Sequence, residues 1–138
     1  MTYITKKYTF CAAHRYWNEK WDEERNYQAF GDDIKNHGHN YTLSITIKGL
    51  INQDTGFIIC LKKLNLIVNK NVINILDHSQ IENDIEWFKD KQPSTENMVI
   101  FIWNQIVDFI PDSSSLYCVK LQETPTIYTE YFGEQHNG

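Results

Sequence analysis

The sequence predicts an α+β fold of order ββααββ, in which an antiparallel, four-stranded sheet carries two helices on one face. Two observations predict it. Two segments near the N-terminus alternate apolar with polar residues, as half-buried strands do, and two later segments repeat apolar residues at helical spacing. Two β-rich segments follow. A length of 138 residues suits one hydrophobic core, so residues 1–138 are expected to form a single domain.

The strands are predicted from their period-2 patterns. The first runs from Tyr3 to His14, and the second runs from His37 to Lys48, where every other residue from Tyr41 to Ile47 is apolar. The last two are expected at residues 116–123 and 126–132, with the turn around Thr124 and Pro125 between them. A small sheet of this kind leaves strand edges free, which favours oligomerisation through those edges.

Helical spacing predicts two helices between these pairs of strands. The first runs roughly from Leu61 to Leu76. The second begins after Pro93 with Ser94 or Thr95 as its N-cap. Between the first two strands, residues 17–35 form a charged insertion that is expected to hold one helical turn around residues 22–29.

Composition and charge narrow the class of protein. The formal net charge is −5, from 13 Lys and Arg against 18 Asp and Glu, and no basic cluster marks a nucleic-acid surface. No apolar run approaches the length of a membrane span, so a cytoplasmic protein is expected. The three cysteines lack metal-type spacing and are expected to be buried and reduced, with Cys60 inert in an apolar setting.

Three histidines form the sharpest signal in the sequence. His37 and His39 flank Gly38 at the start of a strand, so their imidazoles point to the same side. His14 ends the neighbouring strand and is the natural third ligand for a zinc ion, which in catalytic sites takes three protein ligands. The alternative is that the pair is polar surface. His136 lies in a polar tail and is expected to have no role.

Three further polar residues stand at the ends of predicted elements. Asp77 and His78 follow the first helix, where they could transfer protons or where Asp77 could act as a local cap. Side chains of adjacent residues rarely contact each other, so each is expected to pair elsewhere. Glu123 ends a strand, where a carboxylate could hold the guanidine-like edge of a pterin or guanine or could be a solvated charge.

Six segments in the same order resemble the 6-pyruvoyltetrahydropterin synthase and 6-carboxytetrahydropterin synthase family. They span nearly the whole chain and are F-C-A-A-H-R (10–15), N-H-G-H-N-Y (36–41), D-T-G-F-I-I (54–59), L-D-H (76–78), P-S-T-E-N (93–97) and L-Q-E-T (121–124). The resemblance implies the T-fold, an antiparallel sheet backed by two helices. It also implies a homohexamer built as a dimer of trimers, with active sites at the subunit interfaces.

The resemblance also implies roles for individual residues. His14, His37 and His39 would bind zinc, Asp77 and His78 would transfer protons, and Glu123 would anchor the pterin ring, with Thr95 and Glu96 near the substrate pocket. The implied activity is that of a lyase on 7,8-dihydroneopterin triphosphate, in which zinc acts as a Lewis acid on the side-chain hydroxyls.

One departure from the family pattern bears on the reaction. Family members normally carry a cysteine base shortly before the H-x-H motif, and this chain has none there; Asp33 stands four residues before His37, with Asp32 beside it. A carboxylate base would fit a variant that forms 6-hydroxymethyl-7,8-dihydropterin for folate synthesis. A pterin-binding homologue without catalysis is the other alternative. The pathway, whether tetrahydrobiopterin-like, queuosine or folate, is left open.

Overall fold

The computed structural model describes residues 1–134, so the expectation for His136 lies outside the described residues. The chain forms an α+β fold in which a five-stranded sheet is covered by helices. The strands are β1 (Thr2–His14), β2 (His37–Gly49), β3 (Ser79–Gln80), β4 (Ser114–Thr124) and β5 (Ile127–Tyr131). Their order across the sheet is β3-β1-β2-β4-β5.

The prediction of a four-stranded antiparallel sheet missed the edge strand β3. The other four strands pair antiparallel in the order β1-β2-β4-β5, whereas β3 pairs parallel with β1. After the first long helix the chain runs along the free edge of β1, where the His78 N–H donates to Cys11 O at 2.6 Å. A strand of two residues is too short to produce a period-2 pattern, which is why the sequence did not reveal it.

The two predicted helices are present at nearly the expected bounds. α2 comprises Leu61–Val68, continues through a π-helical turn at Asn69–Ile73 and ends with a turn at Asn74–Leu76. α4 spans Thr95–Ile106, and the Ser94 side chain caps it by accepting from the Asn97 N–H.

Shorter helices complete the fold. α1 (Glu23–Phe30) lies in the insertion and is capped by Asp22, and α3 (Ile81–Asp84) follows β3. The remaining helical turns are of the 3₁₀ type, at Gly31–Ile34, Glu86–Phe88 and Val107–Phe109.

The hydrophobic core lies between one face of the sheet and the helices. On β2, the alternate residues from Tyr41 to Ile47 are fully buried, as the period-2 pattern predicts. On β1 the same alternation buries Phe10, Ala12 and His14. The histidines at the ends of these strands therefore continue the inward-facing row of the core.

The expectation that all three cysteines are buried is wrong for two of them. Cys118 is buried, but Cys11 points outward from β1 and Cys60 is exposed at the position before α2. Cys60 is therefore accessible to solvent, although apolar residues such as Phe57 and Leu61 lie around it. Within residues 1–134, no helix is both long enough and apolar enough to cross a membrane.

Candidate metal centre and active site

The pairing of β1 with β2 brings the three histidines together. His14 lies directly opposite His37 in the antiparallel register, and His39 follows two residues later on the same face. The Nε2 atoms of His14 and His37 are 2.9 Å apart. Together with His39 and Glu123, they form a group whose ligand atoms all lie within 4.8 Å of one another.

Hydrogen bonds to the other ring nitrogens orient two of these histidines. His37 Nδ1 lies 2.9 Å from the Lys35 carbonyl oxygen, so an N–H there leaves Nε2 free to bind a metal. His14 Nδ1 lies 3.1 Å from the Tyr41 hydroxyl. Burial, followed by the nearby charges of His37 and His39, lowers the pKa of His14 to about 4. His14 is therefore neutral at neutral pH, which is the form that binds metal ions.

The donor set fits a metal ion because one buried nitrogen makes no hydrogen bond within residues 1–134. His39 Nε2 lies 2.7 Å from Glu123 Oε1, yet this buried atom makes no hydrogen bond within the described chain. A short distance alone is not a hydrogen bond, because the N–H must also point at the carboxylate oxygen. A buried polar atom without a hydrogen bond calls for a ligand. Three imidazoles and a carboxylate match the chemistry of a transition-metal site.

A β-bulge places Glu123 at this centre. The pairing of β4 with β5 shifts register between Gln122 and Thr124, so Glu123 is the extra residue. Bulges commonly re-aim a side chain next to a functional site. The Glu123 carboxylate lies 2.7 Å from His39 Nε2 and 3.6 Å from His14 Nε2. The family resemblance implies a substrate-binding role for Glu123, and the structure places this residue beside all three histidines, where it could also bind the metal.

Asp33 lies at the rim of the centre. It belongs to the 3₁₀ turn before β2, and its Oδ1 is 3.9 Å from His37 Nε2. Its backbone carbonyl accepts a hydrogen bond from the Tyr16 N–H at 2.9 Å, which ties the turn to the segment that follows β1. Asp32 is also exposed, and none of its polar contacts within residues 1–134 reaches a histidine.

Tyr16 lies beside His14, and the charges of three carboxylates act on its hydroxyl. Its ring centroid lies 4.9 Å from that of His14. Burial raises the pKa of Tyr16, and the negative charges of Glu123, Asp33 and Glu96 raise that pKa further. The phenol of Tyr16 therefore stays protonated at neutral pH.

The start of α4 carries the two residues expected near the substrate pocket. Thr95 is buried, and its hydroxyl lies 2.7 Å from that of Thr129 on β5 and 2.9 Å from Glu96 Oε1. Glu96 is close enough to Tyr16 to raise the pKa of that phenol. The structure therefore brings Glu96 to the same end of the sheet as the histidines.

Asp77 and His78 contact each other, contrary to the expectation for adjacent residues. Asp77 Oδ2 lies 3.0 Å from His78 Nδ1, and His78 has a φ of 62°, a conformation that non-glycine residues rarely adopt. Within residues 1–134, no hydrogen bond or ion pair joins this pair to the three histidines. No bond therefore links the Asp77–His78 pair to the metal centre directly, although His78 and His39 line the same groove.

Two positioning residues had no sequence signal. Asn26 is fully buried under the insertion, and its side chain bonds the backbone of Asn18, Trp21 and Asp22. Gln92 bonds both the N–H and the carbonyl of Trp17. Asparagine and glutamine carry no periodic pattern, so only the folded chain reveals that these two fix the insertion next to the site.

A family model described as 6-pyruvoyl tetrahydropterin synthase matches residues 3–134. The chain belongs to the 6-pyruvoyl tetrahydropterin synthase family. Membership confirms the resemblance seen in the six sequence segments and makes the chain a lyase of the 6-pyruvoyl tetrahydropterin synthase type.

Relatives and solved structures agree with this membership. The 6-pyruvoyl tetrahydrobiopterin synthase of Dictyostelium discoideum is 37% identical over 131 residues, covering 95% of this chain and 96% of the relative. The Caenorhabditis elegans 6-pyruvoyl tetrahydropterin synthase structure superposes with a TM-score of 0.90 at 29% identity, covering 96% of each chain. A Plasmodium vivax member of the 6-pyruvoyltetrahydropterin synthase family, solved with its catalytic glutamate replaced by cysteine, shares the fold at 22% identity, a TM-score of 0.65 and coverage of 94% and 96%.

Proposed function

We propose that this protein is a zinc-dependent lyase that acts on 7,8-dihydroneopterin triphosphate. The observation that carries the proposal is the convergence of the His14, His37 and His39 Nε2 atoms beside a carboxylate, in a chain of this family. His39 Nε2 in particular is buried with no hydrogen bond, which supports a bound metal ion.

Zinc suits the ligand set that these residues offer. Three histidines would hold the ion and leave a position open for substrate, as in catalytic zinc sites. When bound, the zinc would supply Lewis-acid polarisation of the substrate's side-chain hydroxyls.

The residues around the centre would bind the pterin. We assign Glu123 to the N–H and amino groups of the pterin ring, because one carboxylate can accept two such hydrogen bonds. Thr95 and Glu96 would lie near the ring at the start of α4. Glu123 is only 12% exposed, so a hydrogen bond that it accepts from the substrate is poorly screened by water.

Proton transfer is assigned to three groups. Asp33 is the candidate base on the metal side, since its carboxylate reaches within 3.9 Å of His37 Nε2. Asp77 and His78 form a second acid–base pair, in which the carboxylate orients the imidazole.

We also propose a homohexamer, a dimer of trimers, in the cytoplasm. Within residues 1–134 no hydrogen bond or ion pair joins the Asp77–His78 pair to the three histidines, which supports an active site completed by a neighbouring copy. The exposed thiols of Cys11 and Cys60 fit a reducing compartment.

The proposal is tested by incubating zinc-loaded protein with 7,8-dihydroneopterin triphosphate and identifying the pterin by mass spectrometry while triphosphate release is followed. We expect a 6-pyruvoyl or 6-carboxy tetrahydropterin product. The matched control is His37→Ala, which should bind no zinc at this site and release no triphosphate. Zinc-loaded wild-type protein that releases no triphosphate would overturn the proposal.

A second candidate function is formation of 6-hydroxymethyl-7,8-dihydropterin, with Asp33 as the base. The position of Asp33 beside His37 favours it, and the related Plasmodium vivax enzyme has a catalytic glutamate. Asp33→Asn should then lower turnover by roughly 10²- to 10⁴-fold with zinc retained. Asp32→Asn is the comparator and Asp54→Asn, in an exposed turn, is the control. If the wild-type protein binds the pterin but turns none of it over, the protein is instead a pterin-binding homologue.

A further inference from the structure

Contacts on both sides hold Tyr16 beside the metal centre. Its backbone N–H donates to the Asp33 carbonyl oxygen at 2.9 Å. Its ring centroid lies 5.6 Å from that of Phe30 on α1 and 4.9 Å from that of His14. The ring also meets that of His37 edge to face, with the centroids 6.2 Å apart. The side chain is therefore fixed between the insertion and the histidines.

The hydroxyl of Tyr16 has no hydrogen-bond partner within residues 1–134. Two other hydroxyls near the centre are already engaged. That of Tyr41 lies 3.1 Å from His14 Nδ1, and that of Thr95 donates to Glu96 Oε1 at 2.9 Å. Of these three hydroxyls in the described chain, that of Tyr16 is the one left to contact a bound molecule.

The charged groups around this hydroxyl are acceptors. The negative charges of Glu123, Asp33 and Glu96 all act on the Tyr16 phenol. An ionised carboxylate accepts hydrogen bonds from a substrate but donates none, whereas a phenol carries a proton that it can share. Tyr16 therefore offers a bound molecule a donated hydrogen bond, which is the kind of contact that the three carboxylates cannot make.

We propose that Tyr16 is a substrate-contacting residue whose hydroxyl donates a hydrogen bond to an oxygen of the pterin's side chain at the metal centre. This role rests on the proposed function. A pterin ring brings its own N–H groups to the carboxylates, so the side-chain oxygens are the part of the substrate that needs a donor. The fixed position of the Tyr16 ring means that the donor is in place before the substrate binds.

The chemistry of the reaction gives this hydrogen bond a role in turnover. A 6-pyruvoyl product carries carbonyls where the substrate carries hydroxyls, so the side-chain oxygens give up their protons and gain negative charge on the way. A donor that is fixed beside such an oxygen stabilises the charge as it develops. The phenol itself transfers no proton, so Tyr16 ends each turnover unchanged and the proton transfers stay with the acid–base groups assigned above.

A pair of ligands tests the contact without any turnover. 7,8-Dihydroneopterin carries side-chain hydroxyls, whereas 6-methyl-7,8-dihydropterin has the same ring without them. In calorimetry, Tyr16→Phe should weaken binding of 7,8-dihydroneopterin by roughly 2- to 10-fold, the contribution of one hydrogen bond, and should leave binding of 6-methyl-7,8-dihydropterin unchanged. An equal loss for both ligands, or a loss for neither, would overturn the inference.

Kinetics then separate a contact with the reacting oxygen from a packing role. Tyr16→Phe keeps the ring contacts with Phe30 and His14, so zinc affinity and the free energy of unfolding should match those of the wild type. We expect kcat to fall by roughly 10²-fold or more and KM to rise by no more than about 10-fold. Tyr27→Phe, which removes the same atom from an exposed tyrosine of α1, should change neither constant.

The remaining outcomes distinguish this inference from the proposed function. Tyr16→Leu removes the ring as well as the hydroxyl and should lower both stability and zinc affinity. If Tyr16→Phe loses zinc to the same degree, Tyr16 acts by packing on His14, and the inference alone is overturned, as it is by a wild-type kcat in Tyr16→Phe. Zinc-loaded wild-type protein that releases no triphosphate would instead overturn the proposed function, and the two ligands would still test the Tyr16 contact.

Discussion

The Tyr41 hydroxyl lies 3.1 Å from His14 Nδ1, and both residues are fully buried on the inner face of the sheet. His14 and Tyr41 come from neighbouring strands, so the pairing of β1 with β2 sets this contact. A partner on the second ring nitrogen holds the imidazole in place and keeps Nε2 directed at the metal centre. We therefore expect metal affinity to depend on Tyr41, which itself offers no ligand to the metal.

Tyr41→Phe should lower zinc affinity by about 10- to 100-fold with the fold intact, because the His14 ring loses its partner. Zinc affinity is measured by competition with a chromophoric chelator. Tyr8→Phe is the matched control: it removes the same atom from a tyrosine whose partner is Asn65 on α2, away from the three histidines. Equal zinc affinity in the two variants would contradict this role for Tyr41.

Glu123→Gln distinguishes a pterin anchor from a metal ligand. We expect the variant to keep its zinc and to lose affinity for the pterin, because the charge that accepts the ring's N–H groups is gone. Zinc content by mass spectrometry and pterin binding by calorimetry measure the two effects. Glu130→Gln, on the neighbouring strand, is the control. A loss of zinc from Glu123→Gln would make Glu123 a ligand instead.

Asn26→Ala should destabilise the insertion. The Asn26 amide donates to the carbonyls of Asn18, Trp21 and Asp22, and its Oδ1 accepts from the Asn18 N–H at 2.7 Å. Leaving these buried groups unpaired should cost about 1–3 kcal/mol in the free energy of unfolding, measured with urea. Asn83→Ala, at an exposed position, should change that free energy by less than about 0.5 kcal/mol. Similar effects of the two substitutions would refute the role of Asn26.

Asp77→Asn should lower stability at neutral pH and match the wild type in acid. The hydrogen bond from the Cys11 N–H, with the contact to His78, holds the pKa of Asp77 below its usual value of 3.8. A depressed native pKa stabilises the fold above the unfolded value, and that stability is lost as the pH falls through the native pKa. The difference in unfolding free energy between variant and wild type should therefore be present at pH 7 and should shrink below pH 3.8. A pH-independent difference would contradict this account.

Much of the fold could be predicted because its long elements carry periodic patterns. The alternation that buries Tyr41 also fixes which way His37 and His39 point, so the grouping of the three histidines followed from the sequence. β3 could not be predicted, since two residues define no period. The outward position of Cys11 follows from the same alternation that buries His14, yet composition alone had suggested that it was buried.

Contacts that depend on a single backbone conformation or on long-range packing were not predictable. The Asp77–His78 contact occurs with a left-handed φ at His78. A glycine at that position would have indicated this conformation, but the sequence has a histidine there. The bulge at Glu123 and the buried bonds of Asn26 arise from how distant segments meet. The roles assigned to Asp33, Asp77, His78, Thr95, Glu96 and Glu123 remain predictions.

The most direct measurement is to titrate zinc into metal-free protein while following triphosphate release from 7,8-dihydroneopterin triphosphate. We expect release to rise in proportion to bound zinc until each chain holds one ion, and to stay at background in His39→Ala. Release that is equally fast without zinc would contradict a metal-dependent lyase centred on the three histidines, as would zinc that binds these histidines without any gain in release.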